Sequence, residues 1–436
     1  MICNNITIQN NTLYFGGLDT TALIKKYGSP LYLIDEARIR HNCRVYMQAM
    51  RRAFGESALP LYAGKAACFK RMYEIIREEG MGADVVSVGE IYTAYRAGFP
   101  MEKTYFHSNN KTDEDIVYAM EHGVGAFVVD NVEELYAIDR EATARGIKQK
   151  VLLRLTPGID PHTYEAVATG RVDSKFGSAI ETGQAYAITR EALQLGGIHL
   201  AGFHCHVGSQ VFDSEVFLRA GEIMLAFVAE IYRKEGYLAE ELDLGGGYGV
   251  RYLESDPYID IAANIAQVAD HLKLTATSLD IPLPAIRMEP GRSIVADAGM
   301  TLYTGGTIKR IPGYKNYVSV DGGMTDNPRY ALYRSPYTVL LANRASEPCD
   351  FVCSVVGRCC ESGDILQENV SLPASGSRGD ILAVLTTGAY NYAMSSNYNR
   401  IPRLPVVMVN GEATDGKTDY TAVRRETPED VSRNDI

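Results

Sequence analysis

Leu59-Pro60-Leu61-Tyr62-Ala63-Gly64-Lys65 is a short apolar run that ends on a lysine, and it is the first of eight such runs along the chain. Next come Gly82-Ala83-Asp84-Val85-Val86-Ser87-Val88, Thr104-Tyr105-Phe106-His107-Ser108 and Gly125-Ala126-Phe127-Val128-Val129-Asp130. Val151-Leu152-Leu153-Arg154-Leu155 and Leu200-Ala201-Gly202-Phe203-His204-Cys205-His206-Val207 follow. Leu242-Asp243-Leu244-Gly245 and Ala285-Ile286-Arg287-Met288-Glu289-Pro290 complete the set. Helix-like sequence fills the early gaps, as at 70–79 and 90–97. Strand and helix in alternation imply βα units and a parallel sheet. Eight apolar, β-branched strands fit a closed (β/α)8 barrel better than an open doubly wound sheet.

Such a barrel carries its chemistry at the C-terminal ends of its strands. Lys65 stands at one of them, where a partly desolvated amine can lose its proton and attack a carbonyl. The competing reading is a solvated surface charge.

The bulk composition narrows the classes. The chain has 436 residues, 46% of them hydrophobic and 22% charged, values of a soluble globular enzyme with more than one domain. A net charge of −11 with no long basic run argues against nucleic acid or an anionic membrane as partner. Residues 1–14 are polar and Asn-rich, without the charged-then-apolar pattern of a signal peptide, and no apolar stretch approaches a membrane span. A cytoplasmic location is therefore expected. The eight cysteines are expected to be reduced thiols, since no C-x-x-C pair of zinc-ribbon type is present.

After about residue 295 the texture changes to Gly, Tyr and Thr with short alternating runs. Asn316-Tyr317-Val318-Ser319-Val320, Asp350-Phe351-Val352-Cys353-Ser354-Val355-Val356 and Asp380-Ile381-Leu382-Ala383-Val384-Leu385 are three of them. This reads as a mostly antiparallel β domain. The opening segment, 6–34, has similar texture and is expected to add a strand or two. The expected division is a barrel over 36–296 and a β-sandwich or barrel-like domain from 1–35 and 297–436. A short helix is expected around Glu426.

Several segments carry chemistry. Gly245-Gly246-Gly247-Tyr248-Gly249 follows the seventh run, where glycines let backbone N–H groups turn toward a phosphate. G-x-G-x-x-G is absent because Val250 fills the last slot, and a plain tight turn is the bland reading. Glu289-Pro290-Gly291-Arg292 places a carboxylate and a guanidinium on a stiff support; it is either a ring-nitrogen partner or a structural ion pair. His204 and His206 stand two apart on one strand face. They offer either two metal ligands, or one packed histidine and one lying flat on an aromatic cofactor. Cys360-Glu361-Ser362-Gly363-Asp364 sets a thiol beside a carboxylate and is either a proton shuttle or an inert thiol. Arg329 and Tyr333 suit a carboxylate, and Thr387-Gly388-Ala389-Tyr390 adds a second tyrosine on a turn.

Together these segments resemble the fold type III, pyridoxal-phosphate-dependent amino acid decarboxylases, most closely the branch acting on diaminopimelate. Also matching are Tyr62-Ala63-Gly64-Lys65-Ala66, His107-Ser108-Asn109-Asn110-Lys111, Ser174-Lys175-Phe176-Gly177, His204-Cys205-His206-Val207-Gly208-Ser209-Gln210 and Arg424-Arg425-Glu426-Thr427. The match runs in order over nearly the whole chain. The resemblance implies pyridoxal 5'-phosphate as cofactor, no metal, and Lys65 as the Schiff-base lysine. His206 would stack on the ring and Glu289 would face its nitrogen. Ser209, Gly245, Gly246, Gly247, Gly291, Arg292 and Tyr390 would bind the cofactor; Arg292, Arg329, Tyr333, Glu361 and Tyr390 would contact substrate. Cys360 would donate a proton from the partner subunit of a homodimer with shared sites. The implied reaction converts meso-2,6-diaminopimelate to L-lysine and carbon dioxide. Sister decarboxylases acting on ornithine, arginine or carboxynorspermidine, a metal-dependent barrel hydrolase, and a non-catalytic cofactor-binding protein are the alternatives. Two departures from the family pattern are Ala67, where asparagine is frequent, and Ile401-Pro402-Arg403, where Arg-Pro-Arg is usual.

Overall fold

Eight parallel strands close on themselves in the order of the sequence: β1 (Leu59–Ala63), β2 (Gly82–Val85), β3 (Thr104–Phe106), β4 (Ala126–Val129), β5 (Gln149–Thr156), β6 (Ile198–His204), β7 (Glu241–Asp243) and β8 (Ala285–Met288). Closure is direct, since Arg287 and Met288 of β8 pair with Leu59 and Pro60 of β1. The expected (β/α)8 barrel is therefore present. Leu61, Tyr105, Ala126, Val128, Leu152 and Ala201 form a buried cluster contributed by five of these strands. Both faces of each strand are covered, which is why the strands read as continuous apolar runs. Truncating Leu61 or Leu152, each fully buried, to alanine costs about 2–5 kcal/mol. At Gly202 any Cβ would lie 1.8 Å from the Glu241 carbonyl oxygen, so the approach of β6 to β7 requires glycine.

This computed structural model describes residues 2–159, 174–413 and 416–436. They divide into two compact units, the barrel unit (Cys43–Gly249, Tyr258–Gly291) and a β unit (Met1–Asn42, Val250–Pro257, Arg292–Ile436). In the barrel unit, side-chain caps start several of the helices that return the chain between strands. Ser87 caps Val88–Arg96, Thr112 and Asp115 form a capping box on Asp113–Glu121, and Asn131 caps Val132–Ala144. Each satisfies backbone N–H groups that a first helical turn leaves without acceptors.

The β unit is built on a 13-residue strand, Gly299–Ile311. It pairs antiparallel with Leu31–Asp35, Ile381–Leu385 and Lys315–Val320. Lys315–Val320 pairs parallel with Phe351–Val356, so the sheet is mixed but mostly antiparallel. The opening segment contributes Leu31–Asp35 to this sheet. Ile6–Gln9, Thr12–Phe15 and Leu18–Asp19 instead form their own three-stranded sheet, whose Leu13 and Phe15 join Met300, Leu302 and Leu385 in one core. The tail adds a strand, Asp419–Val423, before the helix Pro428–Ser432, which Thr427 caps just beyond Glu426. All eight cysteines are free thiols.

Candidate active site

Within the barrel unit, titratable side chains gather at the C-terminal ends of strands. Lys65 lies in a 3-10 turn after β1, and its Nζ is 3.6 Å from the buried Asp84 of β2. Beyond β8, Glu289 Oε1 is 2.6 Å from Nε2 of His107, which follows β3, and its Oε2 is 3.2 Å from Nε2 of His204, the last residue of β6. Burial alone would raise the Glu289 carboxyl, but His107 and His204 more than offset it and hold it well below the usual range. The neighbouring Asp243, at the end of β7, goes the other way: burial and the charge of Glu289 push it well up. Burial also pushes His204 down to about 4, which leaves it neutral near pH 7.

His204 and His206, two apart in the chain, have different tasks. His204 turns to Glu289, whereas His206 Nδ1 accepts the Gly246 N–H at 3.3 Å. His107, His204 and Glu289 form a compact donor set. Ligands about 2.0 Å from a tetrahedral ion stand about 3.3 Å apart. At 2.6 Å, the His107 and Glu289 atoms stand too close for that arrangement.

The glycine run wraps closely around its neighbours. A Cβ at Gly246 would lie 2.1 Å from the Glu289 carbonyl oxygen, and one at Gly247, φ +123°, 2.4 Å from that of Gly208. Gly245 N–H donates to Asp243 Oδ1 at 2.8 Å, so the first amides of the run face inward to Asp243 and His206. Ser209 lies on the segment that Gly247 faces, and Gly291 packs on Ala63. Arg154 of β5 stacks over Phe176 at 4.3 Å, and the Gly177 N–H donates to Asp130 at 3.0 Å. These contacts tie the 174–177 motif to the barrel.

In the β unit, Arg292 and Arg329 each donate Nη1 to the Tyr252 hydroxyl, at 2.7 and 2.9 Å. Both guanidinium groups also stand over the Tyr390 ring, at 4.8 and 5.6 Å. Arg329 further donates to Ser335 and Tyr337, while Tyr333 ends the short helix that Arg329 begins. Cys360 and Glu361 are exposed on a loop whose base is Asp364. The Asp364 carboxylate accepts the Met324 N–H at 2.6 Å and the Cys359 N–H at 2.7 Å. The tail motif reaches back to the departing segment: Glu426 accepts from Asn397 and from the Arg403 N–H, and Arg400 pairs with Asp435.

Sequence reasoning assigned no role to Asp84, His107, Asp243, Arg154 or Tyr252. The first four sit at or near strand ends, a signal that position alone supplies. Tyr252 lies between two barrel strands in sequence yet belongs to the β unit, and nothing local marks it.

Residues 37–296 match the family model described as the pyridoxal-binding domain of pyridoxal-dependent decarboxylases. A diaminopimelate decarboxylase from Bacillus subtilis is 44% identical over 98% of this chain and 96% of the relative, and one from Staphylococcus aureus is 41% identical over 98% of each. Among solved structures, a diaminopimelate decarboxylase from M. jannaschii in complex with L-lysine has a TM-score of 0.90 at 31% identity, covering 99% of this chain and 98% of that one. The Helicobacter pylori enzyme complexed with L-lysine has a TM-score of 0.83 at 29% identity, covering 95% of this chain and 98% of that one.

Proposed function

The chain belongs to the pyridoxal-dependent decarboxylases, and from that premise we propose that it converts meso-2,6-diaminopimelate to L-lysine and carbon dioxide, the closing step of lysine biosynthesis. The observation that carries this reading is Lys65 at the barrel rim, 3.6 Å from a buried aspartate and on the same barrel as the clamped anion Glu289.

The residues fit pyridoxal 5'-phosphate. Asp84 keeps both buried carboxylate oxygens without a hydrogen-bond partner among the described residues, and a Cβ in the glycine run would collide with backbone. When bound, this cofactor supplies an electron sink for the bond to the lost carboxylate. Lys65 would hold the aldehyde end, His206 would lie against the ring, and Glu289 would keep the ring nitrogen protonated. Ser209, Gly245, Gly246, Gly247, Gly291, Arg292 and Tyr390 would bind the cofactor. Arg292, Arg329, Tyr333, Glu361 and Tyr390 hold the substrate, whose unreactive amino acid end is sorted by Arg329, Tyr333 and Glu361. The exposed Cys360 returns a proton to Cα in the site of a partner subunit of a homodimer. Orientation and fixed charge are the protein's own share of the rate. The enzyme works in the cytoplasm on a small molecule; among the described residues no helix is long and apolar enough to cross a membrane.

Carbon dioxide release from a panel of meso-diaminopimelate, ornithine, arginine and carboxynorspermidine tests the reading. Preferential turnover of meso-diaminopimelate is expected. Preference for another member overturns the substrate, and no release from any member, with cofactor bound, overturns the activity.

A further inference from the structure

We propose that His107 is a positioning residue for this reaction: it clamps one oxygen of Glu289 while His204 clamps the other, so that the carboxylate is presented as an oriented anion. The proposal deepens the reading above, since it rests on Glu289 facing the ring nitrogen.

Three observations carry it. First, the contacts divide between the two oxygens, His107 Nε2 at 2.6 Å from Oε1 and His204 Nε2 at 3.2 Å from Oε2. The two rings meet edge to face, their centroids 4.8 Å apart, so neither can swing without displacing the other. Second, all three side chains are closed to solvent, with 6, 1 and 4% of their side-chain surface exposed. Burial removes them from bulk solvent, and a buried carboxylate without such partners favours its protonated form. A protonated Glu289 would not hold a proton on a pyridine nitrogen.

Third, the turn bearing His107 is anchored beyond what a surface loop needs. His107 N–H continues the ladder to Val85 at 2.8 Å. Four residues on, the Lys111 side chain is wholly buried and donates to Glu134 Oε1 at 2.8 Å, to the Val128 carbonyl at 2.8 Å and to the Ser108 carbonyl at 3.3 Å. Asn131 holds the Asn109 carbonyl at 3.4 Å. A lysine stripped of water costs several kcal/mol unless paired. Here its pairing fixes the segment that aims the imidazole. A packing role alone would need the ring's volume at position 107 but not its N–H.

Binding of two probes to the apo protein separates these roles: pyridoxal 5'-phosphate, and its 1-carba analogue, in which carbon replaces the ring nitrogen. Wild type is expected to prefer the nitrogen-bearing probe. His107→Leu should cut that preference about tenfold, the worth of one hydrogen bond to a charged group. His107→Gln, which keeps an N–H at similar reach, should restore it. His107→Asn, too short to reach, should behave as Leu does and stands in if the leucine variant fails to fold. Equal loss for both probes, or no recovery with glutamine, overturns the proposal and leaves packing as the role of His107. Glu289→Gln is the control for the underlying reading. If it retains the full preference, Glu289 does not face the nitrogen and both fall; if it loses the preference while His107→Leu keeps it, only the His107 proposal falls.

Discussion

Arg329 donates a hydrogen bond of 2.9 Å from its Nη1 to the hydroxyl of Tyr252, and the same oxygen accepts from Arg292 at 2.7 Å. One phenol thus holds two buried guanidinium groups at a fixed spacing, although two like charges would otherwise separate. Burial favours the neutral phenol, but Arg292 and Arg329 outweigh it and draw the Tyr252 hydroxyl below its ordinary pKa.

Tyr252→Phe removes an acceptor that both guanidinium groups share, while Arg329 keeps Ser335 and Tyr337. We expect a loss of about 2 kcal/mol in unfolding free energy, the usual cost of stranding hydrogen bonds to charged groups. Substrate KM should rise more than cofactor affinity falls. Urea denaturation and steady-state kinetics check this; an unchanged denaturation midpoint would show that the arginines are held by other contacts.

Asp326 gives the β unit a pH dependence. Burial pushes its carboxyl up to about 7, against opposing hydrogen bonds from Tyr303, Thr325 and the Gly323 N–H. An unfolded aspartic acid titrates near about 3.9. Between about pH 4 and 7 the folded chain therefore holds a proton that the unfolded chain has lost, so this residue's contribution to stability falls as pH rises through that window and is flat above it. Asp326→Asn should abolish this component. Denaturation midpoints of wild type and variant across the window check it, and parallel curves would refute it.

At the opposite rim of the barrel, Glu241 accepts from Arg287 and Lys150, each at 2.6 Å, and from Tyr105 at 2.8 Å. Glu241→Ala leaves two cations and a phenol around an empty place. Breaking a buried pair in this way costs about 3–5 kcal/mol. Because the N-terminal rim of such barrels serves stability rather than chemistry, kcat at a temperature where the variant is folded should be near wild type. Thermal unfolding together with kcat decides; a collapse of kcat in a fully folded variant would contradict the division of labour.

Lys65→Ala should abolish both turnover and the lysine adduct trapped by borohydride. Cys360→Ala should retain cofactor but turn over about a hundredfold or more slowly, the scale of a lost general acid. Mixed dimers of these two variants should recover part of the activity if the thiol serves the partner's site. Absence of recovery in verified heterodimers would exclude sharing.

How much was legible in the sequence follows from where each interaction lies. The eight barrel strands were readable because strands buried on both faces are unbroken apolar runs, and Ser87, Thr112 and Asn131 mark the helix starts between them. Lys65 and Glu289 could be singled out because each closes such a run. The Glu289 clamp could not, since His107 and His204 lie far apart in the chain, one just after β3 and one at the end of β6, and meet only after closure. The spacing of His204 and His206 left a ligand pair and two separate roles both open, because local spacing says nothing of the partner each ring finds. Arg329 was legible as a cation in a tyrosine-rich segment, but its bond to Tyr252 spans the helix Ile261–Leu279, β8 and the strands Gly299–Ile311 and Lys315–Val320.

Pairing of Arg287 with Leu59 has a consequence for birth on the ribosome. The earliest and latest staves of the barrel are neighbours, so a nascent polypeptide cannot seal the cylinder until residue 288 has cleared the exit tunnel. During synthesis, hydrophobic staves wait with one open flank exposed, a period in which chaperones would be most useful. The carboxylate at 289 follows at once, so the strand ends that carry Lys65 and Glu289 come together in one late step rather than by gradual accretion.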